Sequence, residues 1–388
     1  MLELKNDELV FSFANVHKCA VMTVNMQRTL RLPDDGRSYP LPPGKGKFPL
    51  RHVEDYRAKL PASWVEHGGV FLPMYQSEAM WLAFNGNVDS ERGVTYPFAV
   101  KVSTGKISAI TGKSWESGLR TKDYCVIPEQ KWIDGYVVED GTVRQFVAAP
   151  MGSGVSIEHQ VTGKDEHGGI QIEVFPMKAS VFEARFPKRD FSILRGAPRS
   201  GGMLFTKSLG ASPPPSGIDS WFGATNGASN IGEISEQIGA SYNSINDGVK
   251  SVNLSCDIQV QGMSMAAGGR MKQQIFADKF GLDVWDTSNS SRCFVHLTNS
   301  MVWRAITGHN PPETPMTTSE YAANGMPWYD YYQEQSSVQA SAPLQAIQSI
   351  GQLKPEMLPE NQSVEIPLSK VAVLSGKPTP NKVREGSW

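Results

Sequence analysis

The sequence predicts an α+β fold, predominantly β, with two β-rich lobes and a few short helices. Three observations predict it. Apolar segments are short while glycine (36) and proline (26) are frequent, which favours strands and loops over long helices. Residues 132–176 alternate apolar and polar side chains with a period of two, the pattern of a sheet with one buried face. The clearest helical stripe, Ile231, Ile234, Ile238, Tyr242, Ile245 and Val249, separates this strand-rich region from a second one.

Taken in order, residues 8–30 read as two strands, with Leu9, Phe11 and Phe13 on the first and Ala20, Met22 and Val24 on the second. Pro33-Asp34-Asp35-Gly36 is a turn, and the proline-rich run 39–49 is an extended loop. Val53 to Leu60 suggests a short helix ending before Pro61, and the aromatic stretch 69–84 is core. Residues 98–102 and 107–111 form a hairpin. Another is nucleated by Asp140-Gly141, whose residues suit the positive φ angles of a type I′ turn. Val155, Ile157 and Val161 then alternate as a strand opposite Ile170, Ile172 and Val174, which places His159 on the apolar face.

Residues 178–199 are locally basic, and 200–230 are rich in Gly, Ser and Pro. The predicted organisation is therefore an N-terminal lobe over 1–199 and a linker or loop over 200–230. A helix plus second β lobe follows over 231–335, and a largely irregular tail over 336–388. Asn230 and Glu233 cap the 231–249 helix, and a strand follows at 252–260. A short helix is expected over 301–307 between Asn299-Ser300 and Gly308, and helical turns over 318–332. The tail has one β-like piece, 369–374, that docks as a single strand.

Bulk properties exclude several roles. At 388 residues the chain supports a sizeable core. A net charge of -2 points away from nucleic acid. No apolar run is long enough to span a membrane, and the charged N-terminus lacks a signal-peptide core, so a cytoplasmic location is expected. The four cysteines form no CxxC pair and are expected to be free thiols.

An internal echo links two segments. Residues 151–160 match the spacing of 265–274, and 169–173 match 281–285, which aligns His159 with Gln273 and suggests duplicated lobes. Gln160, Trp285, Trp328 and Tyr329 complete the expected binding set: polar groups near a shared interior, aromatics able to stack on a ligand or partner. For His159 a core histidine with one hydrogen bond is the commoner outcome, and for the aromatics simple packing.

Catalytic signatures are weak. Gly112-Lys113-Ser114 lacks the glycine a phosphate loop needs, since Ile107 stands there. His17 with Cys19, and Cys293 with His296, have zinc-like residue types, but Cys293 and His296 point apart on a strand, and buried thiols are the commoner state. No Gly-x-Ser-x-Gly elbow occurs. No catalytic residue, metal or cofactor is assigned.

The segments Arg144–Ala148, Gly168–Gln171, Ala267–Gln273, Gly281–Asp286 and Pro327–Asp330 resemble a group of uncharacterised microbial proteins, over about residues 25–335. Some members are labelled integral membrane proteins, a label this sequence does not fit. The resemblance implies no activity and no site residue. The expected function is that of a non-enzymatic structural or interaction protein, self-associating or bound to a protein partner. The competing reading is a ligand-binding or hydrolytic enzyme with a site between the lobes.

Overall fold

A computed structural model describes residues 1–189, 260–332, 335–358 and 361–375. It is mostly β with short helices, as the sequence predicts. The largest sheet system has 17 strands, most of them antiparallel. Its spine is the pairing of Thr142–Pro150 with Gly262–Lys272, which runs from Thr142↔Lys272 to Pro150↔Met263 with one register shift. The Asp140-Gly141 hairpin forms as read, pairing Gly135–Glu139 with Thr142–Pro150. Gly141 has φ +70, the left-handed region its turn requires.

Strands from both ends of the chain interleave. Ile170–Pro176 lies between Phe98–Thr104 and Ser291–Asn299. Ser291–Asn299 in turn pairs in parallel with Val70–Met74. Val70–Met74 and Ile170–Pro176 are buried at every position; the first is accordingly apolar throughout, while the second carries the buried Gln171 and Glu173. Gln145 stitches the spine to the chain preceding Pro33: its amide donates to Leu30 O and accepts from Leu32 N, with no solvent contact.

Several expectations hold. The helix Ser300–Thr307 starts at Asn299, whose side chain accepts from Met301 N, and stops at Gly308 in the left-handed region. The tail docks by one strand, Val371–Ser375, parallel to Trp328–Tyr332. Among the described residues no helix is long and apolar enough to cross a membrane.

Others are corrected. Residues 157–162 form a helix, not a strand. Ser156 accepts from His159 N, and Gly163 closes the other end at φ +79. Local capping at both ends overrides an alternation only a few residues long. His159 therefore leaves the buried face, and its side chain is 40% exposed. The aligned segment 265–274 is mainly strand, and Leu282–Val284 is a 3₁₀ turn where its counterpart is a strand. The echo thus carries no shared conformation and lends no support to a duplication. The helix expected before Pro61 is a single 3₁₀ turn, Glu54–Tyr56; the α-helix, Ala62–His67, begins after that proline. Within 318–332 one expected helical segment forms, Thr318–Ala323, while 328–332 are strand rather than helical turn. The tail also holds short helices, Ala342–Gln345 and Ile350–Leu353, the second with a capping box between Ser349 and Gln352. The 200–230 stretch, the 231–249 helix and most of the 252–260 strand lie outside the described residues.

Candidate functional site

A cleft of about 450 Å³ opens where the tail strand meets the end of the spine. Ser38–Tyr39 adds in parallel to Gly262–Lys272, which places Tyr39 opposite Met271. Leu41 then bridges Tyr329, exchanging both backbone hydrogen bonds at 2.7 and 2.9 Å. This fixes Trp328–Tyr332 over the spine, and Val371–Ser375 adds outside it. Arg37, Tyr39, Lys272, Asp330, Ile366 and Leu368 are among the lining residues.

Both cations here are matched within the chain. Lys272 Nζ lies 3.1 Å from Asp330 Oδ2, and Arg37 Nε 3.8 Å from Asp35 Oδ2. Tyr39 donates its hydroxyl to Asp35 at 2.6 Å. Burial and that carboxylate push the phenol up to about 12. Burial works against ionising Asp35, yet the bonds from Tyr39 and the Arg37 backbone hold its carboxyl below the usual value. Such a cleft offers apolar walls beside the carboxylate of Glu365.

Gln273 lies just past the end of the spine, and it is buried. Its amide oxygen accepts from Asp134 N at 2.9 Å, and its amide nitrogen donates to Asp134 Oδ2 at 2.7 Å and to Trp132 O at 3.3 Å. Burial pushes the Asp134 carboxyl up to about 7, while a hydrogen bond from the Trp132 side chain works the other way. Beside this pair, Leu41, Trp132, Gln273 and Tyr331 help line a void of about 10 Å³, room for one water at most. Gln273 is therefore a structural tie. Asp134 was not singled out from the sequence, where an Asp before a glycine reads as a turn residue.

The remaining expected site residues disperse. His159 and Gln160 sit on the helix Ile157–Thr162. Gln160 donates to Gln348 O at 3.0 Å and accepts from Gln348 N at 2.8 Å, strapping the tail to this helix. Trp285 is buried against Tyr124 and Phe280, its indole donating to Asp278 at 3.1 Å. Trp328 is buried edge-on to Tyr321. Tyr329, through its bridge to Leu41, and Trp328, paired with Val371, belong to the framework of the cleft. A site shared by His159 and Gln273 does not form, because the first is at a helix surface and the second is sealed in the sheet.

Ser156, Asp165 and His159 deserve a geometric test as a triad. In a working triad the imidazole stands between hydroxyl and carboxylate. Here Ser156 donates directly to Asp165, and His159 Nδ1 is 3.8 Å from Asp165 Oδ2. Ser156 also accepts from His159 N and is fully buried, and Asp165 accepts from Gly152 N. The group closes a loop and caps a helix. Glu158 does the same, accepting backbone bonds from Glu166, His167 and Gly168 at 2.8–3.0 Å. Cys293 and His296 have separate surroundings: the thiol donates to Phe294 O, and the ring stacks on Trp64 and bonds Gly68 O. No protein-family model, curated protein or solved structure matches the chain.

Proposed function

We propose that the protein is a non-enzymatic interaction protein that self-associates by strand addition at the outer edge of Val371–Ser375. One observation carries this reading: among the described residues that strand has a partner on one edge only, Trp328–Tyr332. An open edge is a template for another strand unless charge or a bulge blocks it. Within the strand the exposed side chains are apolar, with Val373 at 73%; Leu368 before it is 89% exposed, and the one charge between them, Lys370, precedes the paired residues. The cleft beside Leu368 and Val371 would receive an apolar side chain of the incoming strand, and a second copy of this strand supplies such side chains. The capping role of Ser156, Asp165 and His159 favours this reading over a hydrolytic one.

Static light scattering over a concentration series tests it. The parent chain should rise in mass with concentration, and Val373→Lys should stay monomeric with unchanged thermal stability, because the side chain already faces solvent. A parent chain that is monomeric throughout, or a Val373→Lys variant that associates equally well, would sink the proposal.

A further inference from the structure

A different cluster brings three metal-ligating side chains together. The strands Glu8–Ser12 and Val21–Thr29 are joined by a tight loop. In it Phe13 N donates to Ala20 O at 2.8 Å, and Ala20 N to His17 O at 2.9 Å. The loop turns His17 back over Cys19, whose backbone N–H donates to His17 Nδ1 at 3.1 Å. Opposite them stands Asp89, at the end of the strand Val88–Asp89. One donor atom from each of His17, Cys19 and Asp89 lies within 4.8 Å of the other two.

Two of the groups, Asp89 and His17, are held from behind. Asp89 accepts from Glu91 N at 2.9 Å and from Arg92 N and Nη1 at 3.1 Å. His17 stacks on Tyr96 with ring centres 5.0 Å apart and meets the edge geometry of Phe182 at 5.1 Å. Lys18 and Lys188 both pair with Glu91, at 2.6 and 2.8 Å, clamping the loop to the strand that bears Asp89. Outer bonds of this kind, which fix a carboxylate and a ring in place, are what a metal site requires of its second layer.

We propose that His17, Cys19 and Asp89 form a binding site for a divalent transition-metal cation of the zinc class, with a fourth position open to solvent. The nitrogen, sulfur and oxygen donor set suits zinc or cobalt rather than calcium or magnesium, which take oxygen ligands. Cys19 is only half buried, so a cation can enter beside it. Binding breaks the Cys19 S–H bond, forms an Sγ–metal bond and sends one proton to solvent; nothing is oxidised or reduced.

Cobalt titration of the full chain, freed of metal by chelation, tests the site. One Co²⁺ should bind per chain with a thiolate-to-cobalt charge-transfer band, and added Zn²⁺ should bleach it. Cys19→Ser should abolish the band while near-ultraviolet circular dichroism stays unchanged, since serine is nearly isosteric. His17→Ala should weaken Co²⁺ binding by at least roughly 10-fold. No stoichiometric cobalt on the parent chain, or an undiminished band in Cys19→Ser, overturns the assignment.

Discussion

The helix Ile157–Thr162 and the end of the strand Gly262–Lys272 use polar side chains in opposite ways. At the helix, Ser156, Glu158 and Gln160 bind their own loop or the nearby tail. Past the strand, Gln273 and Asp134 are sealed together, with the carboxyl pushed up to about 7 by burial. The difference teaches where polarity becomes costly. A bond at the surface, such as Gln160 to Gln348, can be replaced by water, whereas a carboxyl enclosed by sheet must keep its proton or lose stability.

The largest effect should therefore come from pH acting on Asp134. Its folded-state value is raised from 3.8 to about 7, so the folded chain binds this proton more tightly than the unfolded chain. The resulting stability is fully present below 3.8 and is lost as pH rises through about 7. Asp134→Asn does not titrate, and its amide oxygen can still accept from Gln273. Between roughly pH 4 and pH 8, urea unfolding should shift in favour of the variant by up to about 4 kcal/mol relative to the parent. A constant difference across that range would show that Asp134 does not titrate in it.

Gln273→Ala comes next. It leaves Asp134 N, the Asp134 carboxyl and Trp132 O without the partner they share, and should cost about 3 kcal/mol at low pH. A loss under about 1 kcal/mol would mean that water replaces the amide there. Ser156→Ala removes the helix cap and should cost about 1–2 kcal/mol. His159→Ala should stay within about 0.5 kcal/mol of the parent, because the ring is 40% exposed. If His159→Ala proves as damaging as Gln273→Ala, the contrast between the two regions fails.

Much of the strand architecture was legible because it is written in short-range chemistry. Asp140-Gly141 and the alternation of Ile170, Ile172 and Val174 each specify a strand locally. Asn299 and Gly308 likewise mark both ends of one helix. The segment around His159 misled because its alternation is short and its decisive bonds come from Ser156 and Gly163 at the helix ends. The echo between 151–160 and 265–274 misled for a related reason: spacing alone does not register which backbone groups are already satisfied. The cluster of His17, Cys19 and Asp89 was half visible. His17 and Cys19 are neighbours in sequence, but Asp89 joins them only through the Lys18–Glu91 clamp and the strand it terminates.

Strand order also constrains how the chain is made. Val70–Met74, among the earliest buried strands to leave the ribosome, pairs with Ser291–Asn299, which is synthesised far later. Thr142–Pro150 waits in the same way for Gly262–Lys272. Until those segments emerge, apolar strands of the first half have open edges during translation, when they can pair with the wrong neighbour. A nascent chain stalled before residue 262 should be retained by chaperones or aggregate.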